Sequence, residues 1–146
     1  MTTDIEGLVR EAIVAIAEAN GAFKAVLGRA NNLIIERDVF GPGTELPVLV
    51  YDLEEFHSAT GEGRLRLVAV ADELESSRKC RTILEAAVAG YTTDAFAAQS
   101  LDVAVFNESR ASIGVGDDNS VLGAVNREGQ PNLAESLATL TLLYLP

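Results

Sequence analysis

The chain has 146 residues, 48% hydrophobic and 23% charged, a balance that supports a single packed domain over residues 1–146 and excludes extended disorder. Its 22 acidic residues against 11 basic ones leave a net charge of -11, which weighs against general nucleic-acid binding and against docking on anionic lipid. One cysteine, Cys80, rules out an intramolecular disulfide, and no apolar run approaches the ~18 residues of a membrane span. The start M-T-T-D-I-E lacks the basic-then-apolar pattern of a signal peptide, so a cytoplasmic location is expected.

The first predicted element is a helix over about Asp4–Ala19. Ile5, Leu8, Val9, Ala12, Ile13, Ile16 and Ala17 recur at steps of three and four and form one apolar face. Thr3 and Glu6 have capping-box spacing, Glu6 and Arg10 can pair one turn apart, and Asn20-Gly21 supplies a stop with glycine in the left-handed conformation. In the following stretch, Leu33-Ile34-Ile35 is a candidate short strand and Gly41-Pro42-Gly43 a turn. A hairpin comes next. Pro47–Phe56 and Arg64–Ala71 alternate with period two, joined by the polar, glycine-containing His57–Gly63.

A second helix is predicted over about Glu73–Ala89, with Asp72 as N-cap, Cys80, Ile83, Leu84, Ala87 and Val88 on its inner face, and Gly90 as its stop. Arg78, Lys79 and Arg81 are the densest basic cluster. Glu75–Lys79 and Arg81–Glu85 spacings suit a self-paired, solvated face, and the alternative is a salt-bridging role between subunits. Leu101–Asn107 and Glu135–Leu145 read as strands. The latter is apolar on both faces and so reads as a central strand, or as one with a helix on one face and a partner on the other. Between them, Glu108–Ala134 is a long irregular connection, with a minor hairpin feasible across Ile113–Val115 and Val121–Val125.

The expected fold is therefore α+β, a mainly antiparallel four-stranded sheet with two helices packed on one face in the order α-β-β-α-β-β. A single helical layer leaves the other sheet face, with residues such as Val48, Val50, Val68 and Val70, open for self-association. The tip Glu54–Gly63 is expected to project beyond the helical cover and to carry contact between subunits.

Chemistry-bearing motifs are sparse. His57 is the sole histidine. It stands beside Ser58 with Glu54 and Glu55 near, but adjacent residues rarely place a serine oxygen on the ring. Cys80 sits mid-helix on the apolar side, where packing rather than an activated thiol is expected. Gly116-Asp117-Asp118 reads as a turn that lacks EF-hand spacing, with weak cation binding at Asp117 and Asp118 the alternative. Gly114-x-Gly116 follows no βαβ unit, and Asn107-Glu108-Ser109 has meaning only in a secreted chain. Neither catalytic residues nor a metal or cofactor site is expected.

The layout resembles the tail-terminator and minor tail proteins of tailed bacteriophages, the lambda-like and Mu-like groups. The resemblance lies in I-E-G-L-V-R-E-A-I-V-A-I, then L-P-V-L-V-Y-D-L and R-L-R-L-V-A-V-A, then S-S-R-K-C-R-T-I-L-E-A-A-V, L-D-V-A-V-F-N-E-S-R, a long loop, and L-A-T-L-T-L-L-Y-L. It implies a phage or prophage structural protein that forms a homo-oligomeric ring, usually a hexamer. That ring caps the tail tube protein, stops its polymerisation and meets a head-neck connector protein, first in the host cytoplasm and then in the virion tail. Candidate contact residues are Glu54, Glu55, Phe56, His57, Arg78, Arg81, Arg110, Asp117 and Asp118. The other readings are a different head-tail joining or baseplate component, and a small ligand-binding or enzymatic domain using the His57 or Asp117-Asp118 loop.

Overall fold

A computed structural model of the chain describes residues 4–28, 33–40, 44–57, 59–72, 76–113 and 133–145, with the backbone alone at 55, 72, 76–77, 107–113 and 133–135. Thr3, Gly41-Pro42-Gly43, Ser58, Glu75, Gly114-x-Gly116, Asp117, Asp118 and most of the proposed minor hairpin lie outside the described residues.

The chain is a mixed α and β structure built on a mostly antiparallel sheet. In order it forms α1 (Ile5–Ala19), α2 (Gly21–Leu27), β1 (Ile34–Glu36), a 3-10 turn (Arg37–Val39), β2 (Val48–His57), β3 (Glu62–Asp72), α3 (Ser76–Gly90), α4 (Thr93–Ala98), β4 (Val103–Ile113) and β5 (Leu133–Tyr144). The described strands make one five-stranded sheet in the order β1-β2-β3-β5-β4. β1 runs parallel to β2, and every other pairing is antiparallel. Among the described residues, the expectation of four strands and two helices is thus corrected to five strands and four α-helices. The additions are short. β1, three residues long, falls at the candidate strand Leu33–Ile35, whereas α2 with seven residues and α4 with six are below the length at which hydrophobic periodicity is readable.

β5 lies between β3 and β4, so β3 and β4 are parallel neighbours once removed, bridged by α3. All helices pack on one face. Val9, Ile13 and Ile16 of α1, Phe23 of α2, Ile83 and Leu84 of α3 and Phe96 of α4 join Leu49, Tyr51, Leu65, Leu67, Leu140 and Leu142 of the sheet in the main core. Burying each such large side chain stabilises the fold by about 1.5–3 kcal/mol before conformational entropy is counted.

Local chemistry explains the element ends, and several differ from expectation. Asp4, not Thr3, caps α1, its carboxylate accepting from Gly7 N at 2.9 Å. Leu8, expected on the buried face, is 39% exposed because burial follows the Val9–Ile13–Ile16 line. Asn20-Gly21 is a corner rather than a stop. Asn20 takes an extended conformation, ends α1 and caps α2, its Oδ1 accepting from Phe23 N at 3.1 Å while its Nδ2 donates to Ala86 O of α3 at 2.9 Å. Gly90 leaves room for that Asn20 amide, which a Cβ there would force to shift. The left-handed glycine comes later, at Gly28, where φ is 83° at the end of α2. Asp72, expected to cap α3, is instead the last residue of β3, paired with Leu133. β4 runs on to Ile113 rather than ending near Asn107, because residues Ser109–Ile113 regain register with β5 after a bulge.

Ser136 of β5 is 1% exposed on the core face, and its hydroxyl has no hydrogen-bond partner among the described residues. A buried unsatisfied hydroxyl costs about 1–3 kcal/mol. Ser136→Ala is therefore expected to raise the melting temperature by roughly 3 °C, read by circular dichroism, and a lower melting temperature would show that the hydroxyl is satisfied.

Candidate functional site

The hairpin tip does not project free of the fold. The β2–β3 register shifts between Glu54 and His57, a bulge in which Glu55 and Phe56 oppose Gly63. That extra residue returns Phe56 to the core face. There it packs against the main core, directly over Gly63, whose missing Cβ makes the room. At the turn, Thr60 N and Gly61 N donate to His57 O, and Tyr144 N donates to Gly61 O at 2.8 Å. Gly61 has φ 77°, and a Cβ would collide with the Tyr144 carbonyl, so only glycine serves. The strand β5 thus accompanies the hairpin to its end. Phe56 is a packing residue, and His57, exposed and opposite Glu62, has no side-chain partner among the described residues.

The second sheet face is closed rather than open at its apolar end. Val48 pairs with Val70 and Val50 with Val68, and the four are 1%, 0%, 1% and 3% exposed in that order. Phe40, Ile35, Leu46 and Leu137 pack with them in a second cluster. The expectation of an uncovered face fails because the segment after β1 brings Phe40 back over the sheet, a long-range contact with no local periodicity. Two rungs further on, the same face becomes charged. Asp52 pairs with Arg66 and Glu54 with Arg64 in register. Arg66 donates to Glu54 at 3.2 Å, and Arg37 reaches from the 3-10 turn to Asp52 at 3.6 Å and Glu54 at 3.9 Å. Glu54 is therefore engaged within the chain. Beside this patch, Phe106 of β4, opposite Thr141, is 40% exposed.

Beyond the end of the short β1, the edge of β2 is met from the helical side. Arg10 of α1 pairs with Glu6 at 3.2 Å, as its spacing predicts, and also with Glu36 of β1 at 3.8 Å, while donating to Leu53 O at 3.4 Å. Tyr51 donates its hydroxyl to the same Glu36 at 2.9 Å. Burial, and then that carboxylate, push the Tyr51 hydroxyl up to about 12. Tyr91, fully inside the core, donates to Ile13 O at 2.8 Å, and burial raises its pKa also. These are structural uses of polar groups.

On the outer side of α3, Arg78 and Arg81 are exposed, and Lys79 is half-buried. Cys80 is fully buried, as its position predicts. Arg110 and Glu55 lie in β4 and β2, described by backbone only. Of the described candidate contact residues, Glu54–His57 lie at the hairpin end, Arg78 and Arg81 on α3, and Arg110 on β4.

A depression of about 320 Å³ lies where α1 meets α2, α3 and α4, lined by Ile16, Asn20, Gly90, Ala95 and Gln99 among others. Both ends of the Asn20 amide are already bonded within the chain. Among the described residues no three His, Cys, Asp or Glu side chains are placed to hold a metal ion, and no helix is long and apolar enough to cross a membrane.

The Tyr51 geometry gives a testable pH dependence. Because its folded-state pKa is raised from 10.0 to about 12, the neutral hydroxyl stabilises the fold below pH 10, and that stabilisation is lost as pH rises toward 12. Tyr51→Phe is expected to cost about 1 kcal/mol at neutral pH and to flatten this alkaline decline in denaturant unfolding. An unchanged alkaline slope would show that Tyr51 ionises normally.

Compared with protein-family models, with curated proteins and with solved structures, the chain matches none of them.

Proposed function

We propose that the protein is a structural virion component of a tailed phage or prophage, a tail terminator whose homo-oligomeric ring caps the tail tube protein and joins it to a head-neck connector protein. The observation that carries this reading is the order and placement of its large elements. An amphipathic helix precedes a long hairpin. A second helix then crosses to a further pair of strands, and both helices cover the same sheet face. That is the order in which the sequence resembles tail terminators, and α2, β1 and α4 are short departures from it.

The surfaces also suit assembly better than chemistry. Among the described residues His57 stands exposed without a side-chain partner, and Glu54 is tied up with Arg37 and Arg66. The chain is acidic enough to stay soluble while it waits for an assembly partner. Rings require two different surfaces on each copy that fit one another head to tail. The closed second face removes one candidate surface, and the helical side and the Phe106 strip remain.

The test uses the purified chain and isolated tail tubes. Light scattering is expected to give a mass of about six 15.4 kDa chains, and negative-stain imaging is expected to show rings at tube ends. A strict monomer that leaves tubes uncapped at every salt concentration overturns the reading. Binding to purified connector but not to tube would transfer it to another joining component.

A further inference from the structure

The outward faces of the two long helices differ in charge: exposed acids lie along α1, and two exposed arginines stand near the start of α3, with exposed Glu85 one turn beyond them. On α1, burial takes Val9, Ala12, Ile13, Ile16 and Ala17, which leaves Glu11 and Glu18 exposed two turns apart, with Leu8, 39% exposed, one turn before Glu11. On α3, burial takes Cys80, Ile83, Leu84, Ala87 and Val88, which leaves Arg78 and Arg81 exposed near its start. These two arginines stand out in a chain with only 11 basic residues. Other basic residues are used internally: Arg10 on Glu6 and Glu36, Arg37 on Asp52 and Glu54, and Arg66 on Glu54. Among the described residues neither Arg78 nor Arg81 has an ion-pair partner, and neither has Glu11 or Glu18. The two helices share one layer, yet their charges are not neutralised within the chain.

We infer that the α1 face of one copy, through Glu11, Glu18 and Leu8, docks on the α3 face of a second copy, through Arg78 and Arg81. The occupant is identified by charge. The arginines call for an acidic surface of helical spacing, and the chain itself displays one. Acids and bases sit on different helices, so the contact is between unlike surfaces. Such a contact runs head to tail and can close into a ring. Leu8 supplies apolar area beside the acids, and the arginine stems supply it opposite. The contact deepens the ring reading above by naming its surfaces, and it rests on that reading only for its closure into a ring.

A charge-swap experiment tests it. One variant carries Glu11→Lys and Glu18→Lys, the other Arg78→Glu and Arg81→Glu. Each alone sets like charges against like and is expected to associate at least 10-fold more weakly than the natural chain, by light scattering at physiological salt. Mixed in equal amounts, the two variants restore opposite charges at every alternating contact and are expected to recover the natural assembly mass. Circular dichroism and melting curves confirm folding, and the milder pairs Glu11→Gln with Glu18→Gln and Arg78→Gln with Arg81→Gln replace any variant that fails to fold. With these neutral pairs each variant alone is expected to associate more weakly than the natural chain, and unchanged association overturns the contact. The contact is also overturned by a monomeric natural chain, by single charge-reversed variants that assemble normally, or by a mixture of them that stays monomeric. Loss of association in the arginine variant alone likewise overturns it, since the arginines would then meet a different acidic protein. Self-association that passes the swap but ignores tail tubes leaves the contact standing and removes the cap. Capping by variants that fail the swap does the reverse.

Discussion

The register between β3 and β5 is the constraint on which the other elements depend. Leu65 faces Leu140, Leu67 faces Ala138 and Ala69 faces Ser136, all on the helical side, while Val68 faces Leu137 on the other. A slip of one residue would exchange the two sets, putting Arg64 and Arg66 under α3 and the leucines against Phe40. Burying an arginine without a partner costs several kcal/mol, so the ladder admits one register. Once it is set, β2 is positioned by its own pairing to β3, and Arg10 and Tyr51 then meet at Glu36. The bulge at Glu55–Phe56 is the one local exception. It keeps an aromatic ring in the core that strict alternation would have sent outward.

Much of this frame was legible in the chain because it rests on periodicity. The apolar steps of α1 located it to within a residue, and two-faced hydrophobicity marked β5 as an interior strand, where it lies between β3 and β4. What escaped has identifiable causes. α2 shares its cap with the end of α1, so Asn20-Gly21 looks like a terminus when read alone. α4 has only six residues, although Thr92, which accepts from Ala95 N at 3.1 Å, carried a readable N-cap signal. β4 was cut short at Asn107 because the bulge there breaks the alternation that defined it.

The site was less legible than the fold, for a different reason. Its residues were chosen by type, and their states are set by distant partners. Glu54 looked like a charged tip, but Arg37, 17 positions earlier, and Arg66 hold it half-buried on the sheet. Phe56 looked like a rim aromatic, but Gly63 makes room for it inside. The valines of the second face looked exposed until Phe40 was placed on them. Arg78 and Arg81 are exposed, as an outer helix face suggested, and Cys80 is buried, because a helix face depends on its own periodicity and little else.

These particulars bear on how a chain of net charge -11 can associate with itself at all. Each added copy brings strong like charge, and general repulsion opposes every ring. At physiological ionic strength, however, the Debye length is about 8 Å, so repulsion between the bulk of neighbouring copies is largely screened. Charges brought within about 4 Å at a contact are screened much less. A contact that gathers the unpaired bases of one helix against the unpaired acids of another therefore gains locally what the whole molecule loses at long range. The same separation gives direction. Acid meeting acid, or base meeting base, is penalised, so the proposed contact sets α1 against α3 rather than like against like. The internal pairing of Arg10, Arg37 and Arg66 contributes to this by leaving Arg78 and Arg81 as exposed cations on the helical layer, the side of the sheet where α1 presents its acids.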